Sequence, residues 1–243
     1  MRNFFLNQSN DFVIELFSIY HFLFIFVTIL IICLIIIDKE KFLNMNTKNK
    51  KYIKLTLSII LLINFILRRG SFIYYDVYNW QYHLDINFCN FTSILFFVYC
   101  ITGSKKIYKV CYYFAFIGPL LSILIPSSNM SPLNYSFYSF IVLHHLVFIF
   151  NIMFMYIENY KYNKKDFIKA ILFLILYIVV VHIFNFFMNT TYNTPLSFVN
   201  INILKNNITM VLLNVKYIEY FIMFLIIGLL IYFGKIFLKY FNK

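Results

Sequence analysis

Apolar residues in this chain run in seven long stretches, at 12–37, 52–67, 86–102, 107–125, 137–157, 167–188 and 217–238, separated by short polar segments. A helix needs about 20 apolar residues to cross the hydrocarbon of a bilayer, and each stretch meets or approaches that length. The pattern predicts an all-α polytopic membrane protein: one integral domain over residues 1–243, a bundle of seven transmembrane helices. The second stretch is short and carries Lys54, which must snorkel toward water for the span to hold. The basic residues decide whether to keep it. With seven spans, the loops 38–51, 103–106 and 158–166 and the C-terminal tail share one side. Together with their flanks they hold all of the 21 Lys and Arg residues except Arg2, Arg68, Arg69, Lys205 and Lys216. Without the second span the basic residues divide almost evenly. Cytoplasmic loops carry the Lys/Arg excess, so seven spans are expected, with the N-terminus outside and the C-terminus inside.

Composition agrees: 62% of residues are hydrophobic and 12% charged. The net charge of +12 then reports topology and not a nucleic-acid partner; at most the run from Asn46 to Lys51 touches anionic lipid. The 32 Phe and 21 Tyr read as lipid-facing and packing residues. No cleavable signal peptide is expected, because the first apolar run is too long and lacks a basic start and a small-residue cleavage site. No internal repeat or linker is visible. The one sizeable loop, 189–216, alternates apolar residues with Asn over 196–213, as a surface lid or a plain connector would.

Candidate chemistry gathers at the predicted outer end. Ionisable groups within a membrane are costly and are functional candidates by default. At about 1.5 Å per residue, Cys89 lies roughly 6 Å into the third span, and His144 and His145 about 10–12 Å into the fifth. His182 lies about 10 Å below the outer end of the sixth, with Asn185 one turn above it. His21 falls in the outer half of the first span, Asn64 and Ser122 near the outer ends of the second and fourth, and His83 in the loop before Cys89. The first turn of a helix carries partial positive charge, which favours a nucleophilic thiolate at Cys89; a charged Asp85 nearby would oppose this, although Asp85 or Asn87 could also cap the helix. Cys33, Cys100 and Cys111 lie in the other halves of their spans and read as small hydrophobes. For each histidine the plain reading is a hydrogen-bonded strut between helices. His144 and His145 diverge by about 100° around a helix, so one of them alone can face the bundle axis. Gly118 and Pro119 mark a bend in the fourth span, and Pro126 ends it. Asn151 reads as a helix–helix hydrogen-bonding residue.

The segments "FSIYHFLFIF" with His21, "LDINFCNFTSILF" with Cys89, "YYFAFIGPLLSILIPS" with Gly118 and Pro126, "FYSFIVLHHLVFI" with His144 and "LYIVVVHIFNFFMNTTY" with Asn185, Thr190 and Tyr192 follow one another in an order and spacing that resembles the bacterial YwaF-type integral membrane proteins. Those are grouped with the animal transmembrane protein 164, described as a cysteine-dependent acyltransferase acting on ether phospholipids. The resemblance spans roughly residues 12–238. It implies a seven-helix fold in a bacterial cytoplasmic membrane, and Cys89 with His144 as the catalytic pair. It also shows departures. The family usually has Pro-x-His-x-Cys before the third span, where this chain has Asp85, Asn87 and Cys89; His83 is the nearest replacement for the lost histidine. Thr191 stands where Asn is common.

Three readings follow. In the first, Cys89 attacks an acyl ester of a membrane lipid, His144 moves the proton, Asn185 or Asn90 donates to the oxyanion, and the acyl-enzyme passes its acyl group to an acceptor. Asn64, His83, Asn87, His21, His145, His182 and Tyr192 would line the same cavity. In the second, the cavity binds or transports a ligand without chemistry. In the third, three of the five histidines, with or without Asp85, hold zinc for a hydrolase, although no paired ligand spacing supports it. Membrane lipids are the expected partners, and no cofactor or bound metal is expected.

Overall fold

The computed structural model describes residues 1–8, 12–15, 17–84, 86–124, 126, 131–161 and 163–188, with the side chains of residues 81, 82, 182, 185 and 186 excluded. These residues form helices: α1 (Arg2–Phe5), α2 (Ile19–Ile37), α3 (Lys39–Leu43), α4 (Thr47–Tyr74), α5 (Trp80–His83), α6 (Phe88–Thr102), α7 (Lys105–Leu124), α8 (Tyr135–Phe140), α9 (Val147–Ile157) and α10 (Lys164–Met188). A π-helical turn, Ile141–Leu146, joins α8 to α9, so that Tyr135–Ile157 is one continuous 23-residue rod. That rod, α2, α4 and α7 are the helices among the described residues that are long and apolar enough to cross a membrane, and α6 is a shorter apolar helix. The predicted seventh span, 217–238, and the loop 189–216 lie outside the described residues.

Helix starts follow local capping. The first apolar stretch begins at residue 12, but its helix begins at Ile19, because Ser18 caps it: the Ser18 hydroxyl accepts from the backbone N–H of His21. Asn46 likewise accepts from Asn49 and starts α4. The second span, short by hydropathy, is a 28-residue helix that continues through Arg68 and Arg69 to Tyr74, since arginine is a good helix former. Gly103, in the left-handed conformation at φ 64°, closes α6 by donating to the Tyr99 carbonyl and turns the chain directly into α7.

The core lies between α6, α7 and α9, where Phe96, Tyr99, Tyr108, Cys111, Val147 and Phe154 are fully enclosed. Asn151 bonds α9 to α7: its side-chain amide donates to the Tyr112 carbonyl at 2.9 Å, and its backbone carbonyl accepts from the Tyr108 hydroxyl. On α10, Tyr177 donates to the Ile86 carbonyl just ahead of α6 and stacks on Phe91. Pro119 lies within α7, which ends at Leu124, two residues before Pro126. The outward faces of α2 and α4 expose Phe22, Phe26, Leu30, Ile59, Ile63 and Ile66. Such apolar stripes suit hydrocarbon and would be a liability in water.

One end of the bundle is held by charge. Lys54 does not snorkel; its ammonium meets Glu158 Oε1 at 2.6 Å, with side chains 14% and 9% exposed. The Tyr99 hydroxyl donates to the same oxygen at 2.8 Å, and Lys105 lies 3.8 Å from Oε2. Lys50 donates to the Ile157 carbonyl at the end of α9. Burial alone would raise the Glu158 carboxyl, but hydrogen bonds from Lys54 and Tyr99 and the charges of Lys54 and Lys105 outweigh it, and the group titrates below the ordinary carboxylate range. A depressed carboxylate contributes stability above its unfolded pKa and loses it as pH falls through the folded value. Glu158→Ala should therefore cost about 3 kcal/mol at neutral pH. Thermal unfolding in detergent should show the gap between wild type and Glu158→Gln narrowing as pH drops below 4.5; a gap independent of pH would contradict it.

Candidate functional site

At the opposite end, where α2, α7 and α10 finish or begin away from Glu158, lies a cavity of about 230 Å³. Cys89, Asn87 and Asn90 enter it from the start of α6, and His144 and Ser139 from the Tyr135–Ile157 rod. Arg68 and Phe72 reach it from α4. Cys89 is the second residue of α6, and Asn87 is the N-cap in extended conformation. The thiol is 5% exposed, and its sulfur lies 3.5 Å from the Ser122 hydroxyl of α7.

The close approach of α6 and α7 that seats this thiol depends on Gly118. A Cβ there would fall 2.7 Å from the Phe88 ring and 3.6 Å from the Cys89 sulfur. Phe88 cannot retreat, because it is wedged between Phe114 and Tyr177.

His144 presents one usable nitrogen. Its Nδ1 lies 2.9 Å from the Phe140 carbonyl. A carbonyl only accepts, so Nδ1 carries the proton and Nε2 keeps a lone pair, with no partner for it among the described residues. The π turn contributes here. Its i→i+5 bonding widens the helix and changes the facing of the residues within it, and such turns recur at functional sites. His144 turns to the cavity and its neighbour away: His145 Nδ1 lies 2.6 Å from the Thr28 hydroxyl of α2. Since that hydroxyl also donates to the Phe24 carbonyl, its oxygen receives the imidazole proton, and His145 holds α2 against the rod.

The other predicted residues separate. His21 does not line the cavity. Its Nδ1 accepts from the Phe17 backbone N–H just ahead of α2, so its Nε2 donates to the Ile123 carbonyl of α7 at 2.9 Å; one nitrogen fixes the ring locally and the other makes the α2–α7 contact. His83 stacks on Phe72 with ring centroids 4.3 Å apart, one layer behind the cavity, and accepts from the Asn79 N–H. Burial, then Arg69 and Arg68, hold its pKa below the usual imidazole value. Asn64 accepts from the Tyr135 hydroxyl at 2.9 Å and lines an adjoining groove. The side chains of His182 and Asn185, and all of Asp85 and Tyr192, lie outside the described residues. Among the described residues no three His, Cys, Asp or Glu groups converge as metal ligands.

Several cavity residues were not among the candidates read from the sequence, and three of them carry polar groups that matter here. Arg68 donates through Nη1 to Asn90 Oδ1 at 3.1 Å, and a guanidinium inside an apolar stretch was itself a signal. Tyr135 lines the wall. Ser139 is 2% exposed, and its hydroxyl has no partner among the described residues; a single serine in an apolar span gave no warning.

Long apolar helices enclosing a polar chamber at one end define an integral, multi-pass membrane protein. The model of the TMEM164 family matches residues 16–237, nearly the whole chain, and the chain belongs to that family. Searches of curated proteins and of solved structures return no match.

Gly118→Ala should lower stability by about 1–3 kcal/mol through overpacking against Phe88. Gly70→Ala, where a Cβ meets nothing within 4 Å, should leave it unchanged or slightly raised. Paired melting curves check this; equal melting temperatures for the two variants would refute the role assigned to Gly118.

Proposed function

We propose that this protein is a cysteine-dependent phospholipid acyltransferase with Cys89 as nucleophile and His144 as base. It works at the outer leaflet of a bacterial cytoplasmic membrane, in a bundle of seven crossings with the N-terminus outside. The observation that carries the reading is the fixed tautomer of His144. With Nδ1 tied to the Phe140 carbonyl, His144 keeps an unprotonated Nε2, and it lines the chamber that also holds the thiol. The orientation rests on the basic residues at the far end, among them Lys50, Lys54, Lys105 and Lys109. Family membership supports the acyl-transfer chemistry through the resemblance noted above.

The Cys89 sulfur attacks the carbonyl carbon of an acyl ester while His144 Nε2 takes the thiol proton. The tetrahedral intermediate collapses, the ester C–O bond breaks, and the leaving hydroxyl recovers the proton from His144. The acyl group is then held as a thioester. An acceptor hydroxyl attacks it, again passing its proton to His144; the C–S bond breaks and the proton returns to sulfur. Donors to the oxyanion come from the chamber wall, where Asn90 stands beside Cys89, with its carbonyl oxygen held by Arg68, and Ser139 offers a hydroxyl. A resting binder or transporter would use the same chamber without the thioester.

Purified protein incubated with acyl-labelled phospholipid should form a hydroxylamine-sensitive adduct. Cys89→Ser should abolish it, and His144→Ala should slow its formation by roughly 10²–10⁴-fold. No adduct with any phospholipid, or an adduct that survives Cys89→Ser, would overturn the mechanism and leave the binding reading.

A further inference from the structure

The polar chamber does not end at its own wall. A second cavity of about 280 Å³ lies between α4 and α6 and shares Arg68, Asn90 and Leu143 with the chamber. Its character is opposite. Leu61, Leu62, Phe65, Ile94 and Phe97 line it. Leu61 is its buried floor, while Leu62, Phe65 and Ile94 form an outward-facing lip. From Leu61 to Arg68 the groove follows α4 for about 10 Å, away from the chamber and along the apolar length of the bundle.

A guanidinium at the junction of an apolar groove and a polar chamber is matched by an amphiphile whose anionic group lies next to a hydrocarbon chain. Arginine suits phosphate through its planar fork of donors, and in a medium that excludes water such a pairing is stronger than at a surface. The chamber side supplies an independent indication of a ligand. The Ser139 hydroxyl is enclosed and has no partner among the described residues, and a buried hydroxyl without a partner is costly unless a ligand oxygen or water meets it.

We propose that a glycerophospholipid docks with one acyl chain in the α4–α6 groove, its phosphate on Arg68 and its ester linkages in the chamber beside Cys89 and Ser139. Arg68 is then the residue that selects phospholipids over neutral diglycerides. The α4–α6 lip is the door through which the chain enters sideways from the bilayer. The proposal rests on the acyl-transfer reading for which ester faces Cys89; the docking itself does not require any chemistry.

The test uses full-length protein in nanodiscs. It uses two probes that carry the same diazirine on one acyl chain, a phosphatidylglycerol and a diacylglycerol. Photolysis should label α4 and α6 peptides around Leu61–Phe65 and Ile94–Phe97 with the phospholipid probe, in wild type and in Cys89→Ser alike. Arg68→Gln should reduce that labelling by roughly tenfold, with partial rescue by Arg68→Lys; the diglyceride should label weakly and independently of Arg68. Should Arg68→Gln fail to fold, Leu62→Trp at the exposed lip narrows the groove instead and should reduce labelling similarly. Labelling spread evenly over all lipid-facing helices, equal labelling by both probes, or insensitivity to both variants would overturn the proposal. If labelling holds while no thioester forms, docking stands and acyl transfer falls. A thioester without labelling at α4 and α6 gives the reverse.

Discussion

A polar group within hydrocarbon has no water to turn to, and this constraint assigns the side chains of the bundle their places. An imidazole, hydroxyl or amide in an apolar span therefore tends to find its partner in another helix or in its own backbone. His21 satisfies both ring nitrogens, one at Phe17 ahead of its own helix and one at the Ile123 carbonyl of α7. His145 reaches Thr28, and Asn151 joins α9 to α7. His144 differs because its one hydrogen bond is to its own helix, at Phe140. It spends one nitrogen on local positioning and brings the other to the chamber. In a solvent that enforces pairing, that exception is why the acyl-transfer proposal assigns the chemistry to His144 and not to the histidines that bridge helices.

The two ends of the bundle are built on opposite principles. At one, Glu158 pairs closely with Lys54, accepts from Tyr99 and lies near Lys105, which ties α4, α6 and the end of α9 together. At the other, Arg68 and Ser139 line a cavity among the described residues, beside the point where Gly118 lets α6 and α7 approach. A closed end and an open one give the fold a direction. The apolar groove between α4 and α6 meets the chamber at Arg68, and the docking proposal takes that groove as the lateral route for a lipid chain.

Much of this was legible in the chain, to a depth set by the kind of information each feature needs. Span positions for α6, α7 and α10 follow hydropathy to within a few residues, because crossing a bilayer is a demand on local composition. The ends of α2 and α4 do not, because Ser18 and Asn46 decide them through capping bonds, and the Arg68–Arg69 pair disguises a helix that continues. Depth along each span, counted at a fixed rise per residue, brought Cys89 and His144 to the same end of the bundle, and both line one chamber. The same counting brought His21 and His145 there too. It carries no information on rotation about the helix axis, and these two face α7 and α2.

What the sequence determined by itself is therefore one-dimensional: membrane residence, the apolar segments, the concentration of lysines toward one end, and the level at which the thiol and imidazoles lie. Hydrophobicity and rise per residue are additive along a chain and need no knowledge of neighbours. The tertiary structure decided facing and partnership. It put His144 and not His145 beside the chamber through a π turn that no proline or glycine announces. It drew Lys54 to a glutamate a hundred residues away rather than to water, and it set Arg68 where two cavities join. Each of these depends on which helix lies opposite at which rotation, a relation that exists only once the bundle has packed.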